Sequence, residues 1–326
     1  MKAIICTKYG PPEGLKLREV EKPIPGDDEV LIRVHAASLN QYDWHMTTAD
    51  IIAVRLMGCG FFKPKKDQVG TDLAGVVEAA GKNISHFKPG DAVYGDISHS
   101  RSGSLAEYAC ATEDMIALKP ANLTFEKAAA VPMAGLTALQ GLRDKGRIAK
   151  GQKVLIQGAA GGVGTFAVQI AKAYGAEVTA VCSTRNIEQA RAMGADHVID
   201  YTKEDFTKNG EQYDLIMGVN GYHPIQDYRR ALKPGGVYVM AGGSGRQILQ
   251  GVTAGRRRDE SDGRVLTSFT AKADTKDLAV LKELIEAGKV NPVVDKCYTL
   301  DESAAALRYL GGKHARGKVV VKIIDN

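Results

Sequence analysis

The run Lys153-Val154-Leu155-Ile156-Gln157-Gly158-Ala159-Ala160-Gly161-Gly162-Val163-Gly164 constrains the fold of this chain more than any other stretch. It opens as a short apolar segment of buried-strand type and passes through a glycine-rich turn. It then continues over 165–174 with the apolar spacing of a helix. Strand, glycine turn and helix, in that order, form the context in which such a loop holds a dinucleotide. Glycines permit a tight turn and a close backbone approach. The helix N-terminus offers unpaired N–H groups and the positive end of its dipole to a pyrophosphate. The motif reads A-x-G-x-x-G, with Ala159 where the first glycine usually stands and Ala160, Gly161, Gly162, Val163 and Gly164 completing the loop.

A chain of 326 residues is long for one domain and accommodates two. Its 44% hydrophobic and 25% charged residues are ordinary for a globular protein, and no apolar run reaches membrane-spanning length. A net charge of +5 suits anionic small molecules, and without a basic stripe it argues against nucleic acid as a partner. The densest basic run, Arg256-Arg257-Arg258, is followed by Asp259, Glu260 and Asp262, the pattern of a solvated loop. Cys6, Cys59, Cys110, Cys182 and Cys297 are scattered, odd in number and free of C-x-x-C pairing, which speaks against disulfides and a cysteine-rich zinc lobe. The first residues read as a strand, since their apolar run is too short for a signal peptide, and a cytoplasmic location is the expectation.

Residues 1–120 read as short strands at 15–19, 29–35, 75–79, 92–94 and 104–109, separated by Gly/Pro turns: a β-rich, barrel-like unit. One insert, 51–62, is apolar and precedes a lysine-rich tail; it is either a packed loop or short helix, or an apolar lid beside a substrate. A helix is predicted over 125–142, running through Val131-Pro132. Regular α/β alternation follows, with strands at 154–157, 178–183, 197–201, 213–219, 237–241 and 265–270, as in a doubly wound parallel sheet. A helix at 274–287 ends at Gly288, and two strand-like runs flank a helix at 303–310 in a tail expected to return to the N-terminal domain.

Several ordered motifs carry a family likeness. They are Val69-Gly70-Thr71-Asp72-Leu73-Ala74-Gly75, Lys88-Pro89-Gly90-Asp91, Gly103-Ser104-Leu105-Ala106-Glu107-Tyr108, Ala130-Val131-Pro132-Met133-Ala134-Gly135-Leu136-Thr137, Met193-Gly194-Ala195-Asp196, Lys233-Pro234-Gly235-Gly236 and Gly317-Lys318-Val319-Val320. From end to end the chain resembles the medium-chain dehydrogenase/reductase superfamily, in its zinc-independent quinone oxidoreductase branch. The resemblance implies an α/β protein with a Rossmann dinucleotide-binding domain at 124–271. It also implies a discontinuous GroES-like barrel domain at 1–123 and 272–326, and a homodimer.

Where zinc-dependent members carry ligands, this chain has Asn40, Thr71-Asp72 and Met133. Amide, hydroxyl and thioether make a poor zinc site, so no metal is expected. Without a Lewis acid, alkoxide formation from simple alcohols is harder, whereas hydride addition to quinones or α,β-unsaturated carbonyls leaves a delocalised charge that a few donors can stabilise. The cofactor expected is NADPH. No acid stands in Val181-Cys182-Ser183-Thr184-Arg185-Asn186, where an NAD-binding fold places one for the ribose, while Ser183 and Arg185 suit a 2′-phosphate. The likeness adds Tyr201 to that phosphate site. The bland alternative leaves Arg185 at the start of a solvated helix and Tyr201 packed at a strand end.

For catalysis the likeness points to Asn40 as hydrogen-bond donor, Asp43 as a group orienting the loop or the cofactor ribose, and His45, which replaces a lysine of related enone reductases, either as a proton donor or relay or as an exposed or core-satisfied histidine with no part in the chemistry. Tyr42 and Trp44 read as packing residues, with stacking on a flat substrate as the alternative. Thr137, Val219, Gly242-Gly243, Phe269 and Thr270 fall near the nicotinamide, and Lys318 either reaches phosphate or substrate or, as the safer reading, lies on the surface. The function expected is NADPH-dependent reduction of quinones or enones. A zinc-independent alcohol or aldehyde oxidoreductase and a non-catalytic NADPH-binding protein are the alternatives.

Overall fold

The computed structural model describes residues 1–50, 60–242, 257–258 and 261–324. The chain divides into two compact units: Met1–Leu136, Ala273–Glu286 and Pro292–Asn326 form the first, and Thr137–Lys272 with Ala287–Asn291 the second. The strands in chain order are β1 (Lys2–Ile5), β2 (Lys16–Glu19), β3 (Glu29–Leu39), β4 (Asp72–Ala80), β5 (Ala92–Asp96), β6 (Tyr108–Thr112) and β7 (Ile116–Leu118). Then come β8 (Lys153–Gln157), β9 (Glu177–Cys182), β10 (His197–Asp200), β11 (Tyr213–Gly218) and β12 (Leu232–Met240). The last are β13 (Arg257–Arg258), β14 (Val265–Ser268), β15 (Val294–Thr299) and β16 (Lys318–Lys322). The helices that matter below are α1 (Gln41–Thr48), α2 (Phe125–Ala129), α3 (Pro132–Gln140), α4 (Gly162–Ala173), α5 (Thr275–Glu286) and α6 (Ser303–Gly311).

In the first unit the main sheet runs β15-β16-β3-β4-β5-β7, with β6 paired to β3. β3 is its spine, pairing with β6 over 29–33 and with β16 over 36–39 along one edge. Val30, Ile32 and Val34 fill one core cluster, whereas Ala37 and Leu39 fill another. The change from even to odd positions follows the register shift between Val34 and Ala36, since an extra residue turns every later side chain to the other face. That second cluster is completed by Leu307 and Leu310 of α6 and by Val319 and Val321 of β16.

The second unit holds a sheet ordered β10-β9-β8-β11-β12-β14-β13. The first six are mutually parallel. In order of appearance this is 3-2-1-4-5-6, the Rossmann arrangement, with its switch point between β8 and β11. Leu155, Val181, Ile199, Ile216, Tyr238 and Leu266, one from each parallel strand, meet in one apolar cluster.

The structure departs from the sequence expectations at three places. The helix predicted over 125–142 is two helices, α2 and α3, then a π-helical turn at Gly141–Lys145. Pro132 opens α3, because proline lacks an N–H to bond backward and drives the preceding Val131 out of the helical region. The strand expected at 104–109 begins at Tyr108, since Ser104 and Leu105 bond instead to the carbonyls of Gly70 and Val69. Arg257-Arg258, read as loop, pair antiparallel with Leu266 and Val265. The 51–59 part of the apolar insert, Gly243, Arg256, Asp259 and Glu260 lie outside the described residues. No described helix is long and apolar enough to cross a membrane.

Candidate active site

Three strand ends meet in the first unit. β3 and β4 pair with Ser38 opposite Asp72, and β3 and β16 pair with Leu39 opposite Val319. One step beyond each register, Asn40, Thr71 and Lys318 therefore converge with Asp72. The Asn40 amide donates from Nδ2 to Asp72 Oδ2 at 2.9 Å and to Thr71 Oγ1 at 3.2 Å, and its Oδ1 accepts from Lys318 Nζ. Asp72 is buried, and it accepts also from Ser38 Oγ at 3.1 Å, from Lys318 Nζ at 3.3 Å and from the Met133 backbone N–H at 3.0 Å. That last bond places the carboxylate at the N-terminus of α3, where the helix dipole favours a negative charge. Asp43 closes the first turn of α1 by accepting the Asn40 backbone N–H at 2.7 Å, and it takes a longer bond, 3.4 Å, from Thr71 Oγ1.

Several carboxylates in one dry region cannot all ionise cheaply. Burial, reinforced by the Asp72 charge, pushes Asp43 up to about 7. Asp96 stands directly opposite Asp72 across β4 and β5 and is pushed up to about 6, again by burial first and the like charge second. Lys66 responds in the opposite direction: burial lowers it to about 8 against the attraction of Asp43 and Asp96. Its Nζ rests on the Ser100 carbonyl at 3.2 Å.

His45 is not brought into this group by any bond described. Its Nδ1 lies 2.6 Å from Asp50 Oδ1, and Trp44 Nε1 donates to the other oxygen of the same carboxylate at 3.0 Å. Trp44 packs in the second core cluster, its ring against Gly311 of α6, as a packing residue would. Tyr42 is 40% exposed. Lys318 overturns the surface reading: its residue exposure is 3%. The cause is strand pairing. β16 lies between β15 and β3, so its first residue is enclosed although its sequence neighbours His314 and Arg316 are polar.

In the second unit the glycines divide their work. The left-handed turn, φ +84°, falls on Gly158, so Ala159 costs nothing one position later and lies buried. A side chain at Gly164 would strike the Gly158 carbonyl oxygen at 2.1 Å, so this glycine lets α4 pack on the strand. A Cβ at Gly161 would meet only that oxygen, at 3.8 Å, and no side chain caps α4. Gly161, Gly162 and Val163 thus leave an open cradle at a helix N-terminus.

The remaining predicted residues follow the C-terminal ends of the parallel strands. Ser183 and exposed Arg185 follow β9, and Tyr201, 63% exposed, follows β10, its N–H bonded to the Cys182 carbonyl at 3.0 Å. Val219 and Gly242 follow β11 and β12, and a Cβ on Gly242 would lie 3.1 Å from the Val219 oxygen. Phe269 and Thr270 come just after β14, with the Phe269 ring against Gly141, and Thr137 lies buried in α3. Asp200, opposite Cys182 in the β9–β10 register, accepts from Thr184 Oγ1 at 2.5 Å and from the Thr202 N–H and hydroxyl at 3.1 and 2.7 Å.

Comparison with known proteins agrees with this architecture. Residues 26–121 match the alcohol dehydrogenase GroES-like domain family, and residues 193–321 match the family described as zinc-binding dehydrogenase. The 2-methylene-furan-3-one reductase of Solanum lycopersicum is 36% identical over 98% of this chain and 79% of its own length. The chain belongs to the medium-chain dehydrogenase/reductase superfamily. Within the superfamily it is also similar to the chloroplastic NADPH-dependent alkenal/one oxidoreductase of Arabidopsis thaliana, at 35% identity over 98% of this chain and 79% of that one. Among solved structures, the quinone oxidoreductase from Coxiella burnetii superposes with a TM-score of 0.85 at 32% identity, covering 99% of both chains.

The residues of this dehydrogenase/reductase fit a nicotinamide dinucleotide, because the turn at Gly161 is open and no side chain caps the N–H groups that begin α4. They do not fit zinc. Asn40 and Thr71 offer neutral oxygen and nitrogen, Met133 turns a backbone N–H toward Asp72, and the Asp72 carboxylate is already held by four donors, one an ammonium. Among the described residues no group of three His, Cys, Asp or Glu could hold a metal ion. Ser38, Lys66, Asp72 and Asp96 were not singled out from the sequence as site residues. A usable signal was present, since Asp72 and Lys318 are each the charged first residue of an apolar run, Leu73-Ala74 and Val319-Val320-Val321.

Proposed function

We propose that the protein is a zinc-independent, NADPH-dependent reductase of quinones or α,β-unsaturated carbonyls. The observation that carries this reading is the Asn40 group: a buried amide between an ammonium and a carboxylate, to which no thiolate or imidazole among the described residues is bonded. The names of the similar proteins, an enone reductase, an alkenal/one oxidoreductase and a quinone oxidoreductase, support it. The absence of an acid after β9, together with Ser183, Arg185 and Tyr201 at adjoining strand ends, supports NADPH over NADH, since the Asp200 carboxylate is taken by Thr184 and Thr202. Ala159–Gly164, Thr137, Val219, Gly242, Phe269 and Thr270 belong to the same cofactor assignment, with 124–271 as the nucleotide domain and the two flanking stretches as the catalytic domain.

A bound NADPH supplies the hydride, which adds to the conjugated carbon or the quinone ring system. The chain's part is to hold the oxygen on which negative charge then gathers, and to return a proton. Asn40 is the donor in this reading. Both of its N–H bonds are committed, and the longer one, to Thr71 Oγ1, is the one a substrate oxygen replaces. Asp43, at about 7, keeps the Asn40 backbone in place and exchanges protons near neutrality. His45, its Nδ1 fixed on Asp50 and outside the bonds of the Asn40 group, is the proposed relay for that proton. A homodimer in the cytoplasm completes the reading, and the free thiols Cys6, Cys110, Cys182 and Cys297 support a reducing compartment.

The test is NADPH oxidation with ortho- and para-quinones, enones and aldehydes, with NADH in parallel. Turnover of quinone or enone, with kcat/KM for NADPH above that for NADH, is the expected result. Turnover of aldehydes alone would move the assignment to an alcohol or aldehyde oxidoreductase. Tight NADPH binding without turnover across the panel would leave a binding protein. Dialysis against a chelator is expected to leave the rate unchanged, and loss of activity restored by zinc would overturn the metal-free reading.

A further inference from the structure

The ammonium of Lys318 has two acceptors, the neutral Asn40 Oδ1 and the Asp72 carboxylate, whose Oδ2 lies at 3.3 Å. Asp72 has three other donors, Ser38 Oγ, Asn40 Nδ2 and the Met133 N–H, so charge pairing alone does not account for a lysine enclosed here. Its placement is built into the backbone. Gly317 turns at φ +130°, where a Cβ would fall 2.4 Å from the Val293 oxygen, and the Lys318 N–H bonds that same carbonyl at 2.8 Å. A cation on an amide oxygen has two consequences. It fixes which end of the amide faces which neighbour, because the oxygen must face the ammonium and the nitrogen the carboxylate. It also draws electron density toward the oxygen, which makes both N–H groups stronger donors.

We propose that Lys318 is the positioning residue of the reduction. From behind the donor, it orients and polarises Asn40, the task a Lewis-acid cation performs by direct contact with substrate in the zinc-dependent relatives. The inference rests on the reading of Asn40 as the donor to a developing oxyanion. Substrate never touches Lys318; its effect passes through the amide.

The test is a double-mutant cycle in the full-length protein, scored by kcat, by KM for the enone or quinone, by the Kd for NADPH and by Tm. The variants are N40A, K318M, K318R, N40A/K318M and K318M/D72N, the last removing both buried charges so that the fold is kept. K318M is expected to lower kcat about 10- to 100-fold, the range seen when an outer-shell partner is lost, with the Kd for NADPH unchanged. K318R is expected to recover part of that loss. K318M/D72N is expected to recover Tm while kcat stays low, and N40A/K318M to be no slower than N40A, because residues acting as one unit are not additive. Independent, multiplying losses from N40A and K318M, or wild-type kcat in K318M/D72N, would reduce Lys318 to a charge partner and overturn the proposal. If the wild-type protein turns over none of the panel, the functional reading fails first and the inference with it. Turnover by wild type with additive variants sinks the inference alone.

Discussion

The two open questions at the scale of single residues concern a proton and a methyl group. Asp43 is held above its ordinary value, so the folded protein binds that proton more tightly than the unfolded chain does. The stability it contributes is complete below the ordinary aspartate value of 3.8 and is lost as pH rises through about 7. Urea denaturation at several pH values should show D43N free of this slope, while the wild type loses up to about 1.4 kcal/mol per pH unit between about pH 5 and 7 relative to it. Parallel curves would remove Asp43 from the titrating groups. The methyl group separates binding from folding in the glycine loop. G164A places a Cβ against backbone and should lower Tm sharply, whereas G161A has room and should keep Tm. G161A should nevertheless bind NADPH at least about ten-fold more weakly, a loss of about 1.4 kcal/mol, read by fluorescence titration. The loop itself was legible in the sequence because all its parts are consecutive. Lys318 was not: the apolar Val319-Val320-Val321 marks a strand beginning beside it, but its acceptor Asn40 is 278 residues away, and a local pattern does not say that the strand lies between two others.

Elements were read best where one period ran unbroken. The parallel strands β8, β9, β10, β11 and β14 fall within or close to the apolar runs that predict them, since strands covered on both faces are nearly all apolar. The expected helix over 125–142 failed at Pro132, because apolar spacing continues through a backbone break that only the proline marks. The switch of face along β3 was also hidden, since a bulge leaves no fixed mark on the pattern. The contact between α1 and α6 can be tested directly. A methyl at Gly311 would enter the Trp44 ring at 2.1 Å, and Trp44 lies in the helix that follows Asn40 and carries Asp43. G311A is a helix-favouring change on propensity alone, worth about 1 kcal/mol. Overpacking should reverse it, giving a net loss of about 1–2 kcal/mol and a lower kcat through the displaced helix. A gain in Tm with unchanged kcat would show that the ring moves aside freely.

At the level of the whole molecule, the first unit is assembled from three separated stretches, while the second is nearly continuous, Thr137–Lys272 plus Ala287–Asn291. A chain ended after Asn291 retains every segment of the second unit. It loses Leu300, Ala306, Leu307, Leu310, Val319 and Val321 from the N-terminal core, together with the Lys318 ammonium. Limited proteolysis of such a chain should leave a resistant fragment spanning the nucleotide unit while the 29–80 region is cleaved; equal protection of both would contradict the packing described. The same arrangement sets an order of events during synthesis, since a ribosome delivers residue 40 long before residue 318. Ser38, Asn40 and Asp72 therefore wait, unpartnered by their lysine, until residue 318 has emerged, after every segment of the nucleotide unit has been made. The unit that holds Asn40 is begun before the nucleotide unit and finished after it, and throughout that interval its half-built sheet, with the β3 edge that β16 will cover still open, is the surface most in need of a chaperone.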